Sequence, residues 1–445
     1  KGYISDSYRE DENGELTLAS IVSYGGKDYR VTTVQGSAFL SCTDIKKLIV
    51  PANIKYIQSG AFENCVNMNK LVLAEGEDRL DAESDAFKNC GIEKVTIGRN
   101  LKVSIFVRNA ILAKVLFGSN IKNIPDDAFY GCSNLSSVDL SNVESIGNGA
   151  FASTKLENVE IPAQLSYLGT SVFSDCTSLT RVSIKANITS IPNGCFQGCS
   201  SLSSVEYPAS VTVIGESAFS GCGFTSFKLN GNVTEIQREA FSSCKNLENM
   251  EWGNVSLIGF NAFEDCGFKE LSLPASLCDI YMNAFAYCKN LVKVDLSKTN
   301  VKEIGCFANC YALEEVRFPQ NLTGIGYECF KGCSSIVTLN LPSSLLTLSG
   351  KDFLGMSSLT EIDLSNTKIK GISDACFKDC SSLQKVVFPK SLESINNSAF
   401  ENATALKQVD LSNTTVHNIS TSSFAGCRSL EQVSLAENTD TIGNL

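Results

Sequence analysis

Cysteine is the residue with the most latent chemistry in this chain of 445 residues, which carries 19 of them. Fourteen sit three residues after a phenylalanine: Cys42, Cys65, Cys90, Cys132, Cys176, Cys199, Cys222, Cys244, Cys266, Cys288, Cys310, Cys333, Cys380 and Cys427. Cys195, Cys306, Cys329 and Cys376 directly precede a phenylalanine, and Cys278 alone is off the pattern. Thiols at fixed spacing can bind a metal, pair as disulfides, or pack as small soft core residues. Three observations favour packing. Met356, Ala403, Thr154 and Asn109 take the same slot without breaking the spacing, and no ligand set accepts Ala. The paired thiols are CxxxC (CFQGC, CFANC, CFKGC, CFKDC), never the CxxC of tetrahedral sites. Successive coils of a curved stack are also expected to separate like slots beyond disulfide reach. His417 is the only histidine, at a slot held elsewhere by Thr or Lys. It is expected to face solvent, which leaves no Ser-His-Asp or Cys-His site.

Carboxylates form the second pattern. Asp139, Glu160, Glu206, Glu251, Asp295, Asp363 and Asp410 fall between two inward strand residues, with Arg317 interrupting the column. A neighbouring column includes Arg181, Lys293, Glu315 and Glu361. Strand alternation points all twelve outward, onto one face. Such a face is either solvated surface or a long, mostly acidic partner-binding surface. It is poor in Tyr, Trp and Arg, the usual anchors of interfaces, and the single Trp252 is expected to point inward. Paired carboxylates can cleave glycosidic bonds, but nothing marks one pair from the rest. Some Asp in VDLSN are expected to bond the following turn. The acidic stretch REDENGE near the N-terminus lacks the spacing of a calcium loop and reads as solvated. No cofactor or metal is expected.

The elements that position these residues repeat. Eighteen phenylalanines, from Phe39 to Phe424, recur at spacings of 19 to 25 residues, mostly 22 to 24. After Phe129 come Cys132, Leu135, Val138 and Leu140, and the last two predict a short strand facing inward. Four copies are one residue shorter between Cys and strand, and the Phe106 copy has Asn109 in the Cys slot. Pro51, Pro162, Pro208, Pro274, Pro319, Pro342 and Pro389 follow the strands, where the backbone leaves the ladder. One unit cannot bury its own Phe and aliphatic residues, so coils must stack. Seventeen intervals at the usual strand separation predict a sheet roughly 80 Å long. Residues 1–36 lack the Phe–Cys unit, and the alternation about Gly25–Gly26 reads as a β-hairpin cap. Residues 37–445 then form a single solenoid domain.

Composition narrows the classes. Charged residues are 19% and hydrophobic residues 43% of a chain with net charge −11. That balance disfavours nucleic acid and anionic membrane surfaces as partners. The most apolar stretch, SIFVRNAILAKVLFG, is broken by Arg108 and Lys114, so no direct membrane insertion is expected of this segment. The chain opens KGYISDSYRE without an initiator Met, as a mature or trimmed form would, and TIGNL ends just short of where the next Phe is due.

The pattern AF-x-x-C-x-x-L-x-x-V-x-L/F-P-x-x-L-x-x-I resembles the BspA-like leucine-rich repeats of bacterial surface proteins, over about residues 30–445. The resemblance implies an α/β solenoid: curved, right-handed, with about 18 repeats on one continuous parallel β-sheet. It also implies a secreted or cell-surface protein, some relatives being adhesins for host extracellular proteins, and no shared catalytic residues. The expected function is a non-enzymatic module binding a protein or glycan through the outward strand face. The alternatives are a structural spacer displaying another module and, less favoured, a glycan-active enzyme.

Overall fold

A computed structural model describes residues 13–102 and 104–444. Residues 13–211 and 212–444 form two compact units, and each is a stack of parallel β coils. Most of REDENGE lies outside the described residues.

Most coils contribute two strands. In the first unit Lys47–Val50, Lys70–Leu73, Lys94–Ile97 and Lys114–Phe117 pair in parallel, with Leu48, Leu71, Val95 and Val115 in one row. Their alternate residues are buried, as at Leu48 and Val50, because a two-residue period places successive side chains on opposite faces. A second ladder of two-residue strands follows the turn, as in Asn123–Ile124, Ser145–Ile146 and Tyr167–Leu168. In the second unit the same pairing runs through Val213–Ile214, Glu235–Ile236, Leu257–Ile258 and Asp279–Ile280. The prolines open the turn between the ladders: Leu165 N–H donates to Pro162 O and Leu277 N–H to Pro274 O, both at 3.1 Å.

The α/β label does not hold. Among the described residues there is no helix, because the Phe corner cannot continue one. The residues two before and two after the Phe take left-handed φ, as at Asp127 (52°) and Gly131 (71°) around Phe129. Two left-handed residues within five break any helical run. The corner satisfies its amides in two alternating sets instead. Asp127, Phe129 and Gly131 N–H donate to Asn148, Ala150 and Ala152 O of the next coil, each at 2.8 Å. Ala128, Tyr130 and Cys132 N–H close turns onto Pro125, Asp127 and Phe129 O. A buried corner with every amide partnered avoids the penalty of an orphan donor.

The expected single continuous sheet is also corrected. The first unit has a sheet of five strands and one of three on this face, and residues 136–140, where a strand was expected, stay outside both. Leu140 there is buried but Val138 only half-buried. In the second unit Glu361–Asp363 with Lys385–Val387 and Gln408–Asp410 with Gln432–Ser434 belong to separate sheets. Strands of three residues share so few bonds that a small change in coil spacing interrupts the ladder.

At the start, Ile21–Tyr24 and Lys27–Arg30 form the antiparallel hairpin about Gly25–Gly26. Its side chains are largely exposed, Tyr24 and Tyr29 included. Glu15–Thr17 joins the parallel sheet beside Lys47–Val50, and Thr33–Val34 pairs with Tyr56–Ile57 in the second ladder.

Phenylalanine rings stack within each unit at centroid distances such as 5.4 Å for Phe129–Phe151 and 5.2 Å for Phe241–Phe263. Offset stacking of this kind suits the ring quadrupole. Trp252 is buried with its edge on Phe263 at 5.2 Å.

Candidate functional site

None of the 19 cysteines is joined in a disulfide, and most are buried. Packing is therefore their main role, but the thiol has a further task. Cys132 Sγ donates to Phe106 O of the preceding coil at 3.1 Å, Cys176 to Phe151 O at 3.2 Å and Cys310 to Phe285 O at 3.2 Å. The same bond recurs at further buried slots of each unit, among them Cys90, Cys244, Cys288 and Cys380, so the side chain pins neighbouring corners. Thr154 loses this role: its hydroxyl donates to Phe151 O of its own corner at 2.8 Å. Burial pushes the thiols of Cys132, Cys244, Cys288 and Cys380 up to about 12, which keeps them protonated and unreactive. Cys278 is the exposed exception. Among the described residues no cluster of three or more His, Cys, Asp or Glu side chains could hold a metal. His417 is exposed.

Eleven of the twelve outward residues lie on strands, Asp139 falling in the stretch outside the sheets, and together they do not act as a uniform acidic surface. Arg181 bonds Glu206 at 2.6 Å across adjacent strands, and Lys228 bonds Glu251 at 2.7 Å. Lys293, Glu315, Arg317 and Asp295 form one linked set, with Arg317 Nε on Glu315 at 2.8 Å. Exposed pairs contribute only about 0.2–1 kcal/mol each, yet they cancel most of the local field. The aspartates serve the turn after the strand. Asp139 accepts from Ser141 N–H at 3.0 Å, and Asp295, Asp363 and Asp410 accept from the amides of Ser297, Ser365 and Ser412. The Ser141 amide, and for the other three the serine hydroxyl ahead of the amide, hold these carboxyls below their ordinary value. Glu160 and Glu361 are exposed and form neither contact.

Two depressions mark this face. In the first unit, Asn158, Glu160, Arg181, Lys185 and Glu206 rim a hollow of about 390 Å³. On its floor the buried Ser183 Oγ has no hydrogen-bond partner. In the second unit a larger hollow of about 1090 Å³ spans the interrupted ladder between Lys385–Val387 and Gln408–Asp410. Sequence columns missed both, because each depends on how neighbouring coils are spaced. They also missed an exposed aromatic pair at the corners, Phe260 stacked on Tyr281 at 4.8 Å.

Comparison with known proteins agrees with this architecture. The profile of the BspA type leucine-rich repeat region matches six stretches: residues 26–113, 82–180, 103–223, 169–292, 212–336 and 351–445. No curated protein matches the chain. Among solved structures, a leucine-rich repeat protein from Bacteroides ovatus is 22% identical, with 91% of each chain covered and a TM-score of 0.50. A leucine rich cell surface protein from Faecalibacterium prausnitzii is 20% identical over 87% of this chain and 94% of that one, with a TM-score of 0.38. The pneumococcal vaccine antigen PcpA is 16% identical over 91% and 83%, with a TM-score of 0.34. Parallel coils, a recurring Phe–Cys corner and a profile match across nearly the whole sequence identify the chain as a member of the BspA-type leucine-rich repeat family.

Proposed function

We propose that the chain is a non-enzymatic binding module, secreted or displayed on a cell surface, that engages a protein or glycan through its outward strand face. Family membership supports surface placement and an interaction role, since repeat solenoids present extended rigid faces to partners. The observation that carries the reading is the hollow around Ser183. A buried hydroxyl without a partner is costly unless a ligand or water completes it, and here it lies among Glu160, Arg181 and Glu206. Because most of the twelve charges are already paired, Glu160 and Glu361 are the carboxylates among the twelve outside any ion pair or turn bond.

Screening the full chain against matrix proteins, mucins and a glycan array tests the reading, with Glu160→Lys, Ser183→Ala and Glu361→Lys variants alongside. At least one interaction is expected to weaken in a variant that keeps the wild-type fold. Interactions indifferent to all three substitutions and to Lys385→Glu with Lys407→Glu would remove the strand face as the binding surface and leave the spacer reading, in which the stack holds another module at a distance.

A further inference from the structure

The larger hollow, in the second unit, carries charge opposite to that of the whole chain. Lys298, Lys302, Lys368, Lys385, Lys390 and Lys407 are the lysines of this unit that form no ion pair. The last four all line this one depression, and all four are exposed. Elsewhere on the unit lysines neutralise acids, as Lys370 does Glu393 at 2.9 Å. Four ammonium groups outside any ion pair, set against the two carboxylates Asp410 and Glu431 of the same lining, leave an excess of positive charge around about 1090 Å³ on a chain of net charge −11, a place where an anion gains and the protein loses like-charge repulsion.

We propose that this depression binds an acidic glycan, its sulfate or carboxylate groups held by Lys368, Lys385, Lys390 and Lys407. This deepens the reading of the strand face as a binding surface and rests on it. The rest of the lining supports a sugar. Gln384, Gln408 and Asn413 provide amides that both donate and accept, as ring hydroxyls require. Asp410 lies at the same hollow with one oxygen already engaged by Ser412, leaving capacity to accept from a hydroxyl. Nucleic acid fits less well: the one aromatic of the lining, Phe388, is buried and gives no stacking platform for bases. An acidic peptide lacks apolar anchor pockets, since Val386 and Phe388 are already covered by protein. The volume lies at the upper end of ordinary small-ligand sites, room enough for a short oligosaccharide.

The test uses the full chain and a fluorescent sulfated uronate–glucosamine octasaccharide, followed by anisotropy at 50 and 150 mM salt. Binding is expected to weaken with salt, and Lys385→Glu with Lys407→Glu is expected to weaken it at least about tenfold. Lys298→Glu with Lys302→Glu adds the same charge outside the hollow and is expected to leave it nearly unchanged. Equal losses in the two double variants would overturn the site in favour of diffuse attraction. A single-stranded DNA of matched charge that competes equally well would overturn the glycan assignment. No binding by the octasaccharide, with the Glu160 and Ser183 variants still affecting other interactions, would overturn this inference alone and leave the strand-face function standing.

Discussion

Asp352 stands where neighbouring coils of its unit carry Cys329, Cys376 and Ala399, directly before the corner Phe, and it is fully buried. Its Oδ2 accepts from Gly350 N–H at 3.1 Å and from Ser373 Oγ at 3.4 Å, while Oδ1 has no partner. Burial outweighs these bonds and pushes the carboxyl from its ordinary 3.8 up to about 7. In the unfolded chain the group ionises from pH 3.8 upward, whereas in the folded chain it keeps its proton until about pH 7. The fold therefore loses stability as pH rises across that interval and levels off above it. The difference in proton affinity corresponds to about 4 kcal/mol. Asp352→Ala restores the residue that other coils use. Relative to wild type, the variant should gain about 4 kcal/mol between pH 4 and pH 8, on top of a constant loss of about 1–2 kcal/mol for the two hydrogen bonds. Urea midpoints of the full chain at each pH measure the gain, and hydrogen exchange over residues 350–380 localises it, since coils of a stack open in part. A variant-to-wild-type difference that stays flat from pH 4 to 8 would refute a buried, protonated carboxyl at this position.

Three further expectations follow from the corners and the face. Ala375 holds φ of 50° with no side-chain oxygen to compensate, so Ala375→Gly should raise the urea midpoint, by about 1 kcal/mol in stability. Native-state labelling with a thiol reagent should modify Cys278 far ahead of the buried slot cysteines, with the half-buried Cys42 and Cys427 between, and fast labelling of the remaining thiols would contradict their burial. Glu206→Ala breaks the exposed pair with Arg181 at 2.6 Å and should change stability by less than about 1 kcal/mol, measured by the same denaturation.

The period was legible in the sequence because every coil must bury the same Phe, Cys and aliphatic positions, whatever its surface does. The corner conformation was not. Ser171, Glu239, Tyr287, Lys351 and Ala375 all adopt positive φ, and only Gly or Asn at such a place announces it. Neighbouring coils enforce the turn through the ladder, so tertiary bonds override local preference. The residues of the outward columns are exposed or half-buried, yet their neutralisation was hidden. Arg181 meets Glu206 only because Ser183 aligns with Glu206 in the next strand, and that register is not a local property. The lysine hollow is harder still: its four residues recur at unequal intervals, and they converge only where the ladder is interrupted.

The inter-coil amide ladder at each corner also sets how the chain responds to tension. Force applied along the backbone loads one coil's ladder bonds and Phe contact at a time, since each coil touches only its neighbours. Rupture should therefore proceed as a staircase, each step releasing one period of about 23 residues, or roughly 80 Å of contour. For a tether exposed to shear, such a staircase dissipates load in small increments and leaves the coils beyond the break intact to rewind when the pull relents.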